Sequence, residues 1–387
     1  MKNIKYFCGM LFLSLLLIMQ ITSCGGGGDD PAPGPTPGTS FITSDLAGTW
    51  YMYATNGATV GVAPVGSIDA GNLRGKLILD SLGQVPVTGS SFTRSTNQSV
   101  SFTGGVIGMD SSGVVSGSAT TSLGVYFYFD SGKMDATKNI LSFVVHTSNE
   151  EHYLVTAIRA WGGFSSLDLA ATWYVFGAGG DYGQITVSDA GNGIRAPIAS
   201  PGGGGFLAID GNGLLNDTYS GTSYVVSGSG TELYLKQGKI NLAKDIMFFV
   251  AGTDPSNFDL VTAIRAGGTF AAVDLSGTWF IYGSSSSSTD STKKATLGGT
   301  MALDSSGKVT GGSYTRSDTG AKASFTGGTV TIDPAGVLSG SATTDTGGTI
   351  SFSSGKMNAA KGMMSLVGDA SSGEQDFLFC LKGNETE

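Results

Sequence analysis

The chain is expected to be all-β: three tandem antiparallel β-meander units, barrel-like with about eight strands in copies one and three, smaller or open in copy two. Three observations predict this. A strand opening recurs, Asp45-Leu46-Ala47-Gly48-Thr49-Trp50 returning as Asp168-Leu169-Ala170-Ala171-Thr172-Trp173 and as Asp274-Leu275-Ser276-Gly277-Thr278-Trp279. A second segment recurs without a gap, beginning at Gly132-Lys133, Gly238-Lys239 and Gly355-Lys356. Asp-x-x-Gly pairs punctuate the stretches between, at Asp80/Gly83, Asp110/Gly113, Asp210/Gly213, Asp304/Gly307 and Asp333/Gly336. Intervals between the tryptophans exceed the 20 to 50 residue periods of solenoids, so each copy is domain-sized.

Composition agrees with an exported all-β protein: 62 glycines and only 13% charged residues. A net charge of -9 sets nucleic acid aside as a partner. Of three cysteines, Cys8 falls in the leading segment and Cys24 follows it, leaving Cys380 alone, so no disulfide is expected in the mature chain.

In chain order, Lys2 and Lys5 precede a greasy run from Tyr6 to Met19, too short for the ~20 residues of a spanning helix. Ile21-Thr22-Ser23-Cys24 then sets a small pair directly before a cysteine and resembles the lipobox of bacterial lipoproteins, with isoleucine where leucine is commoner. That resemblance implies removal of residues 1–23, acylation of Cys24 with palmitate-type chains, and a membrane partner reached through the lipid; Gly25 after the cysteine implies the outer membrane, on its periplasmic or its surface face. Two acyl chains suffice for stable anchoring. Residues 24–44, with Gly25 to Gly28 and Pro31, Pro33, Pro35 and Pro37, bury no apolar surface and are expected to be a tether.

Repeat one is expected over 45–163, repeat two over 164–269 and repeat three over 270–387. The position shared by Asn139, Asp245 and Gly362 holds the residue types most tolerant of positive φ, which predicts a hairpin turn with its left-handed residue there. Aspartate opens each Asp-x-x-Gly turn and glycine takes the left-handed position before the returning strand. Asp210-Gly211-Asn212-Gly213 with Asn216 and Asp217 lacks the alternating oxygens of a calcium loop and reads as such a turn. Copy two has a single such pair and a glycine-rich stretch from Ser200 to Gly205, hence the expectation of a six-stranded or open unit.

Each copy closes on an apolar strand ending in a base: Tyr153 to Arg159, Leu260 to Arg265, Phe377 to Lys382. The pairing of Gly48-Thr49-Trp50 with Arg159, and of Gly277-Thr278-Trp279 with Lys382, resembles the lipocalin and wider calycin group; Ala171-Thr172-Trp173 with Arg265 lacks the glycine. The resemblance implies structural cation–π contacts at the closed barrel end and a small apolar ligand at the other mouth.

Alternation sends Trp50 and Met52 to one face and Tyr51 and Tyr53 to the other, and likewise Tyr174 and Phe176, Phe280 and Tyr282. These six aromatics are expected to pack against a neighbouring repeat or to hold a ligand, whether apolar, glycan or protein. His146 and His152 flank Glu150 and Glu151 in what reads as a solvated loop, matching no familiar metal site. Cys380 has no histidine in its copy to activate it. No catalytic residue, metal or cofactor is assigned. The reading is a non-catalytic binding or surface-structural module, with a calycin-like carrier and a β-scaffold hydrolase as alternatives.

Overall fold

The computed structural model describes residues 40–57, 72–95, 97–180, 182–187, 195–200, 203–216, 224–226, 232–254, 257–287 and 294–383; the leading segment and Cys24 lie outside the described residues. Repeat one is a closed barrel in up-and-down order: β1 (Gly48–Gly57), β2 (Leu73–Leu79), β3 (Ser91–Arg94), β4 (Ser99–Met109), β5 (Val114–Thr121), β6 (Tyr126–Met134), β7 (Ile140–Thr147) and β8 (His152–Arg159). β8 returns to β1 from Trp50↔Arg159 to Gly57↔His152, so neither sheet edge is left bare.

Repeat two comprises β9 (Ala171–Gly177), β10 (Tyr182–Val187), β11 (Arg195–Ser200), β12 (Gly203–Ala208), β13 (Leu214–Asn216), β14 (Tyr224–Val226), β15 (Glu232–Ile240), β16 (Ile246–Asp254) and β17 (Asn257–Arg265). Its sheet is open between β12 and β13, in line with the expectation of a smaller or open unit, and its described residues form nine strands rather than six. Among the described residues β11 meets β10 through Thr186↔Ala199 and Val187↔Ile198, and Pro197 within it has no N–H to give. Repeat three closes again into eight strands: β18 (Gly277–Ser287), β19 (Lys294–Leu303), β20 (Val309–Arg316), β21 (Lys322–Ile332), β22 (Val337–Thr344), β23 (Thr349–Met357), β24 (Met363–Ala370) and β25 (Glu374–Lys382).

The Asp-x-x-Gly turns follow from their side chains. Asp110 Oδ1 accepts from the backbone N–H of Ser112 and Val114, both at 2.9 Å, while Gly113 takes φ +85°. The Gly-Lys hairpins turn out to be the same turn. Lys138 N–H donates to Asp135 O at 2.9 Å, and the left-handed residue is Lys138 at φ +59°, one place earlier than expected; Lys244 and Lys361 match it at +59° and +61°. A lysine there costs about 1 kcal/mol of backbone strain. Its ammonium offsets that by reaching the aspartate that opens the repeat: Lys138 to Asp45 at 2.7 Å, Lys244 to Asp168 at 2.7 Å, Lys361 to Asp274 at 2.9 Å.

Those aspartates cap 3₁₀ turns at Thr43–Leu46, Ser166–Leu169 and Ala272–Leu275, which lie across one barrel end. Each turn offers its last carbonyl to the indole behind it: Trp50 Nε1–H donates to Leu46 O at 2.7 Å, Trp173 to Leu169 O at 2.8 Å and Trp279 to Leu275 O at 2.7 Å. All three indoles are wholly buried. Across them lie Arg159 at 4.9 Å, Arg265 at 5.9 Å and Lys382 at 5.5 Å from the ring centres.

The repeats pack cyclically. β7 and β8 meet β18 and β19, β24 meets β9, and β16 and β17 meet β1. Between them lies a fourth apolar cluster that includes Tyr53, Ile158, Phe176, Phe248, Tyr282 and Phe379 from all three repeats. Around it Lys133, Lys239 and Lys356 each sit between two rings, one just ahead of the opening 3₁₀ turn of their own repeat and one from another repeat; Phe41, inside the stretch expected to bury no apolar surface, is thereby buried in barrel one. Lys133 Nζ is 5.2 Å from the centre of Phe41 and 4.8 Å from Phe280; Lys239 is 4.6 Å from Phe164 and 5.7 Å from Tyr51; Lys356 is 5.0 Å from Phe270 and 5.0 Å from Tyr174. Burial pushes Lys133 and Lys239 down to about 8, with a nearby aspartate opposing the shift in each case.

Candidate functional site

The six outward aromatics of the opening strands lie between repeats. Tyr53, Phe176 and Tyr282 are wholly buried in the shared cluster, while Tyr51, Tyr174 and Phe280 are half-buried beside it, against the three lysines. Cross-repeat hydrogen bonds surround them: Asn358 Nδ2 to Asp245 Oδ2 at 2.9 Å, Thr55 Oγ1 to Asp259 Oδ1 at 3.1 Å, Ser284 Oγ to Ala178 O at 2.8 Å.

Barrel one is filled by its own side chains. Phe92, Phe102 and Phe127 meet with ring centres 5.2 to 5.6 Å apart, and the cavity they line with Met52 and Val155 is about 20 Å³. That holds one water and no acyl chain. Cys380 is fully buried, and burial pushes its thiol up, away from the thiolate a nucleophile needs.

The histidines are not in a loop. His146 lies in β7 and His152 in β8, directly opposite one another, because a tight turn closes as early as Thr147, whose N–H bonds Glu151 O at 2.9 Å. Glu151 turns into the barrel, wholly buried, against Arg94 at 3.4 Å and the Tyr153 hydroxyl at 3.1 Å. The histidines point the other way, so the solvated-loop expectation fails for both.

On the outer face of repeat one, Tyr126, Tyr128, His146 and His152 form a row of rings. Successive centres are 6.1, 4.7 and 6.0 Å apart, and Tyr128 lies opposite His146 across β6 and β7. Tyr126 and Tyr128 are 46% and 36% exposed, large aromatic surface left in water. His146 Nδ1 bonds the Asp130 carboxylate. Burial pulls His152 down, and the neighbouring His146 adds to the effect, so at neutral pH it offers one donor and one acceptor.

Beside this row a groove of about 290 Å³ opens where barrels one and three meet. Asp130, Ser131 and His152 form one wall and Thr296, Thr315 and Ser317 the other, with Val144 and Gly298 between them. Gly298 lets the barrels close here, since a Cβ on it would stand 2.9 Å from Val144 Cγ2. Ser317 Oγ accepts from Thr296 N–H at 2.8 Å and keeps its own proton to donate. Thr296 is buried and its Oγ1 has no hydrogen-bond partner. Among the described residues no three His, Cys, Asp or Glu side chains are placed to hold a metal ion.

Sequence reasoning passed over this site. One signal was present: Tyr126 and Tyr128 alternate outward at places where repeat three, in the same register, has Thr349 and Ser351. The groove itself joins β6 to β20 and has no local signature.

Comparison with known proteins finds no matching family model and no matching curated protein. Among solved structures, the isotype 1 transferrin binding protein B of serogroup B Neisseria meningitidis is similar at 11% identity, over 91% of this chain and 79% of its own, with a TM-score of 0.29. A tryptophan-to-alanine mutant of transferrin binding protein B from Haemophilus parasuis Hp5 aligns at 9% identity over 91% and 77%, also at 0.29. A de novo designed fluorescence-activating β-barrel matches 29% of this chain and 92% of its own at 14% identity, with a TM-score of 0.22.

Proposed function

We propose that the chain is a lipid-anchored, non-catalytic binding module of the bacterial outer membrane, with the tether expected over 24–44 ending before Phe41, which is buried in barrel one, and the repeats at 45–163, 164–269 and 270–387 as one head. The lipobox-like Ile21-Thr22-Ser23-Cys24 supports the anchor. One observation carries the binding role. The three repeats turn their opening-strand aromatics onto each other and barrel one fills its own interior, while a polar groove with an aromatic border opens outward at a repeat junction. A shape of this kind takes a ligand from solution rather than carrying one inside.

The test is fractionation of cells expressing the chain. Wild type should sediment with membranes and take up labelled palmitate, and Cys24→Ala should do neither while keeping the same melting curve. A Cys24→Ala chain that stays on the membrane ends the anchor reading. Native mass spectrometry of the purified chain should find no lipid other than covalent acyl groups, and a stoichiometric non-covalent lipid would restore the carrier.

A further inference from the structure

We infer that the groove between barrels one and three is a binding site for a neutral hexose-type carbohydrate, whose chain continues along the Tyr128 and Tyr126 row. This rests on the non-catalytic binding reading above and names its ligand class.

Size comes first. About 290 Å³ lies at the lower end of the roughly 300 to 1,000 Å³ of small-molecule pockets and suits a single sugar ring. The polar complement is that of a polyol site: three hydroxyl side chains, Ser131, Thr315 and Ser317, each able to donate and accept; one carboxylate, Asp130; and one imidazole, His152. The buried Thr296 hydroxyl lacks a partner at the same wall. Such an orphan costs about 1–3 kcal/mol unless something bonds it.

Charge narrows the class. Among the described residues no Lys or Arg lines the groove, and the chain carries -9 overall, which disfavours phosphate, sulfate and uronate. A cation is not favoured either, because among the described lining residues Asp130 is the one carboxylate and it already bonds His146. Neutral hydroxyls with apolar ring faces remain: Val144 and the His152 ring supply apolar contact in the groove, and the Tyr128 ring lies beyond it, past His146 in the row.

Repeat three is an internal control. At the places of Tyr126, Tyr128, Asp130, His146 and His152 it has Thr349, Ser351, Ser353, Asp369 and Gln375, on strands paired in the same register. That barrel closes all the same. The barrel therefore does not require the aromatic and histidine row.

The experiment titrates the purified full chain with glucohexaoses of α-1,4 and β-1,4 linkage, mannohexaose and galactohexaose by calorimetry, with chromatography of each mixture afterwards. At least one sugar should bind. Asp130→Ser and His152→Gln, which install the residues of repeat three, should each weaken it about tenfold or more, and Tyr128→Ser should weaken the hexaose more than the matching disaccharide. Tyr182→Ser, an exposed tyrosine of repeat two, should change nothing. Unaltered melting temperatures establish that the variants fold. Absence of binding across the panel, or equal binding by the groove variants, overturns the carbohydrate assignment and leaves the binding module standing. Shortened sugars in the chromatogram that vanish in Asp130→Ser keep the site and overturn the non-catalytic reading.

Discussion

Asp376 and Glu151 show what a single buried carboxyl does in otherwise similar barrels. In repeat one the inward position is Tyr153, whose hydroxyl bonds Glu151; in repeat three the same register position is Asp376, buried, with one carboxylate oxygen unpartnered. Burial raises Asp376 to about 6, with the Ser285 hydrogen bond and the Arg316 charge working against the rise. A carboxyl raised on folding contributes stability that is complete below its unfolded value near 4 and is lost as pH climbs through 6. Asp376→Asn should therefore match wild type at pH 4 and exceed it at pH 8, by on the order of 2 kcal/mol in urea unfolding. A difference that stays flat from pH 4 to 8 would show that Asp376 titrates normally. Glu151→Gln is expected to act at neutral pH instead: it removes the buried carboxylate charge that faces Arg94 at 3.4 Å and accepts from the Tyr153 hydroxyl, and should cost about 3 kcal/mol.

Among elements, the Gly-Lys hairpin carries opposing effects that substitution can separate. Lys361 holds a left-handed backbone at φ +61° and an ion pair to Asp274 at 2.9 Å. Lys361→Gly relieves the strain and loses the pair, and should lie within about 0.5 kcal/mol of wild type; Lys361→Ala keeps the strain and loses the pair, and should cost about 1–2 kcal/mol. Equal losses for both would remove the strain argument. This turn also marks where reading the sequence stopped short. Asp135, Asn241 and Asn358 open the hairpins just as aspartate opens the Asp-x-x-Gly turns, yet glycine is absent from the left-handed slot, so a tolerant neighbour one place later drew the assignment. Closed barrels in repeats one and three were legible because turns and tryptophans are local signals. Nine strands in repeat two were not, since β10 to β12 carry no Asp-x-x-Gly turn among the described residues. The groove was illegible for a related reason: His146 faces His152 only once a tight turn has set the register, and Thr315 comes to line a groove with Asp130 only once two barrels dock.

Over the whole molecule, the cluster between the repeats decides whether the groove is permanent. Its two walls come from different barrels, so its shape depends on how firmly they are held together. Phe379 and Phe248, from repeats three and two, meet edge to face with ring centres 5.1 Å apart, and Tyr53 and Ile158 of repeat one share their cluster. Phe379 is fully buried but lies outside the interior cluster of its own barrel. Phe379→Ala opens a cavity there at a cost of about 3–5 kcal/mol. If the head unfolds as one body, that loss is felt by every repeat, and hydrogen exchange read by mass spectrometry should show protection falling in β1, β9 and β18 alike. Protection lost in repeat three alone would mean three barrels that merely touch, and a groove that opens and closes with their motion. A common loss would make the repeats one thermodynamic unit, with barrel one holding its wall against barrel three for as long as the head stays folded.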